Sequence, residues 1–126
     1  DEFGKLHAAI RLMLPVLHGD VVTAARVLLA APRPERGRML ARMLEEADWA
    51  DAFRRRTGRI HRLWGDGSLR AAAAARPRAA EPPLDDPDYC RCLLLVFEAL
   101  LARRAGLSRR RRRRRRAVPW DRARAV

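Results

Sequence analysis

The sequence predicts an all-α protein, a small bundle of three to four helices with a disordered, arginine-rich C-terminal tail. Apolar residues recur at i, i+3, i+4 and i+7 in several segments, and no stretch alternates as a strand would. Prolines and glycines separate those segments. Eight consecutive arginines set the tail apart: Arg109, Arg110, Arg111, Arg112, Arg113, Arg114, Arg115 and Arg116. Adjacent guanidinium groups repel one another and have no apolar face to bury, so the run is expected to stay disordered until a polyanion neutralises it.

The first helix is read in "HGDVVTAARVLLAAP", where Asp20 can cap, Val21, Ala24, Ala25, Leu28 and Leu29 form one stripe, and Pro32 stops the chain. The second, "PRPERGRMLARMLEEADWADAFRRRTG", has Pro34 near its first turn and Leu40, Met43, Leu44 and Ala47 on one face. Gly58 can serve as its left-handed terminator, and it is expected to be the longest helix. Arg54, Arg55 and Arg56 near its C-terminus suit the helix dipole. A loop, "RIHRLWGDG", leads to a short alanine-rich helix that Asp66 or Ser68 can cap and Pro77 ends. The stretch "PRAAEPPLDDPD", with Pro77, Pro82, Pro83 and Pro87, must run extended as a surface strap. Asp86 then caps a last helix whose face is Tyr89, Leu93, Val96, Phe97 and Leu100 and which Gly106 can end.

A length of 126 residues suits one small domain plus a tail. Residues 107–126 hold ten arginines and one aspartate, a net +9, which leaves +4 of the total +13 for residues 1–106. The division expected is a leader or vector-derived remnant at 1–12, a helical oligomerisation or adaptor domain at 13–106, and a basic disordered tail at 107–126. The oligomer or core residues are expected to be Leu40, Met43, Leu44, Leu93, Val96, Phe97 and Leu100. Faces this long on so short a chain are buried either in a closed monomeric bundle or against another subunit.

Enzymatic chemistry has no visible set of residues. No phosphate-binding G-x-x-x-x-G-K-[ST] loop occurs, and "GDGSLR" lacks the lysine to hold a triphosphate. His18 and His61 stand in no metal-ligand spacing. Cys90 and Cys92 would point about 200° apart on a helix and read as reduced thiols. Glu45, Glu46, Asp48 and Asp51, and again Asp85, Asp86 and Asp88, could hold a divalent ion or act in acid–base work, but they also read as surface charges and caps. Glu98 interrupts the most apolar run, 93–101, well short of a membrane span. The expectation is a non-enzyme with no cofactor and no catalytic or metal site, in the bacterial cytoplasm.

The informative surface is "FRRRTGRIHRLWGDG", which interleaves Arg54, Arg55, Arg56, Arg59 and Arg62 with Phe53, His61 and Trp64. Arginines beside aromatics could contact phosphates while the rings stack on bases. Alternatively Phe53 and Trp64 anchor the loop and the arginines stay solvated. Nucleic-acid contacts are therefore expected at the eight tail arginines and at Arg55, Arg56, Arg59 and Arg62.

The segments "RRTGR" (55–59), "LWGDGSL" (63–69) and "EPPLDDPDY" (81–89), within residues 13–104, resemble the small proteins encoded beside the large terminase in alphaproteobacterial gene transfer agent clusters, which are similar to phage small terminases. That resemblance implies a helical, oligomeric, non-enzymatic packaging subunit that binds double-stranded DNA with little sequence preference and recruits or regulates the large terminase. The stiff "APRPE" between the first two helices is a poor helix-turn-helix turn, and the arginine run departs from the family pattern. A different reading is an arginine-rich RNA-binding or transcription-associated regulator. A third is a protein-interaction module with an incidental tail.

Overall fold

The computed structural model describes residues 13–116. Among the described residues there are four helices: α1 (His18–Ala30), α2 (Arg36–Thr57), α3 (Leu69–Ala74) and α4 (Pro87–Arg116). A 3₁₀ turn at Arg33–Glu35 joins the first two. The all-α expectation holds: among the described residues β-pairing is confined to one isolated bridge, His61 with Gly65.

Helix α1 is the central element. Its Val21, Ala24, Ala25, Val27 and Leu28 are buried over more than one face, because α3 and α4 both pack on it. Leu40, Met43 and Leu44 of α2, Leu69 and Ala73 of α3, and Tyr89, Cys92 and Val96 of α4 complete one core. Burying each large aliphatic side chain contributes roughly 1.5–3 kcal/mol.

This packing places most of the expected oligomer or core residues in the core. Leu40, Met43 and Leu44 are consumed inside the chain, so they offer nothing to a second subunit. Val96 is fully buried and Leu93 and Leu100 pack at the core's margin, but Phe97 is 48% exposed. Phe97 follows Val96 by one 100° step and so faces outward.

The helix starts were legible with one exception. Ser68 Oγ accepts the Ala71 N–H at 3.1 Å, and Asp86 Oδ1 accepts the N–H groups of Asp88 and Tyr89, both at 3.0 Å. Asp66 holds the Ser68 N–H, also at 3.0 Å. Asp20, however, lies in the first turn of α1 rather than ahead of it. One of its oxygens accepts the Leu17 N–H at 2.8 Å and the other accepts the Arg70 N–H at 2.8 Å. A single buried carboxylate therefore satisfies orphan donors at the starts of both α1 and α3.

Helix ends divide differently. Gly58 takes the left-handed conformation at φ 74° and terminates α2 as expected. Gly106 does not terminate α4, which at 30 residues exceeds the 22 of α2. A glycine inside a helix costs about 1 kcal/mol relative to alanine, a cost that leucine and arginine neighbours of good helix propensity can offset. Residues 107–116, expected within the disordered tail, thus continue α4, while 117–126 and the expected leader 1–12 lie outside the described residues.

The proline-rich strap is pinned to α1 by a reciprocal pair: the Ala79 N–H donates to the Arg26 carbonyl at 3.1 Å, and Arg26 Nε donates to the Ala79 carbonyl at 2.8 Å. Gly67 sits where the loop before α3 crosses α2, at φ 99°, and a Cβ there would come within 2.7 Å of Asp51 Cα. Its carbonyl accepts the Leu14 N–H at 3.0 Å.

Candidate nucleic-acid interface

Two ion pairs orient the basic segments. Buried Arg36, at the start of α2, donates to both oxygens of Asp88 at 2.8 and 3.0 Å, and its Nε donates to the Ala31 carbonyl at 3.0 Å. Further along the same two helices, Arg103 Nη2 donates to Asp48 Oδ1 and Oδ2 at 2.7 and 3.0 Å. The pairs 36–88 and 48–103 advance in the same direction along both helices, so α2 and α4 run parallel. Their C-terminal ends, Arg56 on one and Arg109 on the other, therefore lie at the same end of the molecule.

At that end the loop is a tight, ordered structure. The His61 N–H donates to the Gly65 carbonyl and the Gly65 N–H to the His61 carbonyl, at 2.9 and 3.0 Å. Inside the turn His61 Nδ1 accepts the N–H groups of Leu63 and Trp64, both at 3.1 Å, which requires the unprotonated nitrogen at that position. The His61 ring stacks on Trp64 at 4.3 Å between centroids, Phe53 meets His61 edge-on at 5.1 Å, and Trp49 lies 5.2 Å from Trp64. Arg42 covers the Trp49 ring at 5.0 Å. Phe53 and Trp64 thus anchor the loop on α2, one of the two roles considered for them. Trp49, unremarked in the sequence, completes the array and stays 42% exposed. Its spacing of four from Phe53 was the available signal.

The expected phosphate-binding arginines separate into two groups. Arg55 Nη2 lies 2.7 Å from Asp51 Oδ2, and Arg54 donates to Asp51 Oδ1 at 2.8 Å and to the Asp66 carbonyl at 3.0 Å. Those two neutralise a carboxylate that is only 1% exposed, so Arg55 already holds an ion pair within the chain. Arg56, Arg59 and Arg62 are exposed around the loop. On α4, Arg109 and Arg113 are exposed, and the backbone of all eight arginines is helical. Successive residues are 100° apart, so the eight positions cover every side of the axis. Beyond Arg103 no hydrogen bond or ion pair ties the described part of α4 to the rest of the chain.

Most members of the acidic clusters have partners within the fold. Glu46 accepts two hydrogen bonds from Arg76, at 2.8 and 3.0 Å, and one from Arg42 at 3.1 Å. Burial pushes the Asp48 carboxyl up from its usual range, and Arg103 partly offsets that rise. The hydrogen bond from Arg36 holds Asp88 below the usual range, and that from Ser68 does the same for Asp66. Burial also raises the Cys92 thiol. Among the described residues no group of three or more His, Cys, Asp or Glu could hold a metal ion, and no helix is long and apolar enough to cross a membrane.

No curated protein and no solved structure matches the chain. Residues 14–100 match a family described as "Domain of unknown function (DUF7742)", a span that covers the helical core and stops short of the arginine run. The chain belongs to that family.

Proposed function

We propose that this protein is a non-enzymatic nucleic-acid-binding adaptor whose helical core holds a protein partner while arginines at one end engage phosphates. The supporting observation is that α4 runs without a break from the core to Arg116, so the arginine run continues the helix that Arg36 and Arg103 tie to α2. Arg56, Arg59 and Arg62 lie at that same end, so one phosphate backbone can meet both groups. Contacts of this kind position a protein on a duplex without reading its sequence. The resemblance to small terminases gives this reading a concrete form: a DNA-packaging subunit in the bacterial cytoplasm that delivers double-stranded DNA to a large terminase, the motor that hydrolyses ATP.

A salt titration on two unrelated duplexes tests it. Log affinity should fall against log salt with a slope of about −0.9 per phosphate neutralised, equally for both sequences. Deleting 109–116 should flatten the slope by several units, and replacing Arg56, Arg59 and Arg62 together should flatten it further. Unchanged affinity and slope after the deletion would remove the run from any nucleic-acid role. Tighter binding to an RNA hairpin than to either duplex would favour the arginine-rich RNA-binding reading instead.

A further inference from the structure

One face of α4 has no partner among the described residues. Cys90, Leu94, Phe97 and Leu101 are all exposed, the last three at 56%, 48% and 72%, while Cys92 and Val96 point into the core. Their spacing of four, three and four is the seam spacing of a two-helix coiled coil. Leu84, itself 69% exposed, extends the patch, because its carbonyl accepts a hydrogen bond from Cys90 Sγ at 2.7 Å.

The flanks of the seam indicate what covers it. Arg91 and Glu98, seven residues apart on one side, are exposed, and neither forms an ion pair among the described residues. One base and one acid placed about symmetrically around the Leu94/Phe97 midpoint make the face complementary to itself under a two-fold axis. We infer that α4 pairs with α4 of a second copy of this chain, antiparallel, with Cys90 against Leu101 and Leu94 against Phe97 of the other copy. Arg91 of each copy then meets Glu98 of the other, and exposed Arg104 approaches exposed Asp85. A parallel pair would instead bring two runs of eight arginines together, against strong repulsion. The antiparallel dimer carries the runs to opposite ends, so one assembly presents two basic arms. The inference does not rest on nucleic-acid binding, and its test uses protein free of nucleic acid.

Sedimentation of the full chain in moderate salt should show a concentration-dependent monomer–dimer equilibrium at micromolar protein. Phe97→Glu removes no intramolecular core contact of a buried residue, so it should fold normally by circular dichroism and weaken the dimer by about a hundredfold or more. Arg91→Glu and Glu98→Arg should each weaken it about tenfold, and the double exchange should restore it, because the pairs re-form with charges reversed. Leu101→Cys should give a covalent dimer through native Cys90 under mild oxidation. The unaltered chain should not cross-link through Cys90 alone, since the two thiols would sit about 16 Å apart along the seam. A monomer at every concentration, failure of the double exchange to rescue, or ready Cys90–Cys90 cross-linking would each overturn the proposal.

Discussion

Arg103 reaches fifty-five residues back along the chain to grip both oxygens of Asp48 with one nitrogen, at 2.7 and 3.0 Å. This contact is the last ion pair between α4 and the core before the helix runs on to the arginines. The relationship separates a clamped part of α4 from a projecting one, and its strength has a direct readout.

Arg103→Ala leaves Asp48, a partly buried carboxylate, without its partner, and should lower stability by about 1–3 kcal/mol in urea denaturation. Asp48→Asn should cost less, because it removes the desolvated charge together with the pair. A larger loss from Asp48→Asn than from Arg103→Ala would contradict this account.

Beyond Arg103 no ion pair among the described residues ties the helix to the core, and like charges four apart repel one another along it. Amide exchange should therefore be slow from Tyr89 to Arg103 and much faster through 107–116 in free protein. Duplex DNA or another polyanion should slow exchange in that segment. Equal protection on both sides of Arg103 in low salt would show an interaction that the ion-pair pattern does not contain.

Acid should destabilise the fold in a definite order. Asp88 titrates below the unfolded carboxylate range because of Arg36, and Asp66 because of Ser68, so their contributions are complete above about pH 4 and disappear as pH falls through the depressed folded values. Asp48, raised by burial, acts in the opposite sense: its folded form takes up a proton first, and acidification relieves part of its cost. Asp88→Asn should be less stable than the parent near neutral pH and should lose less on acidification, measured by thermal melts across a pH series.

Leu28→Ala, at a fully buried position in the last turn of α1, should cost about 2–5 kcal/mol. Gly67→Ala imposes both an unfavourable φ and a Cβ 2.7 Å from the α2 backbone, so it should also destabilise. Gly106→Ala, with open space around the added methyl, should instead raise helicity slightly. Together the three separate core packing, crossing geometry and helix propensity.

Periodicity and punctuation alone determined the helix count, the stops at Pro32 and Gly58, the caps at Ser68 and Asp86, and the concentration of charge near the end of the chain. These are local properties: a cap or a stripe depends on residues within a turn or two of one another. Only the tertiary structure decided that Leu40, Met43 and Leu44 are filled from within while Leu94, Phe97 and Leu101 are left open, since that depends on which helices α1 separates. Long-range pairing likewise set α2 and α4 parallel through Asp48 and Asp88. It also turned Asp20 from a cap on one helix into a link between two. Charge identity is written in the sequence, but whether an arginine is spent on a carboxylate or left for a phosphate depends on what folding brings within about 3 Å of it.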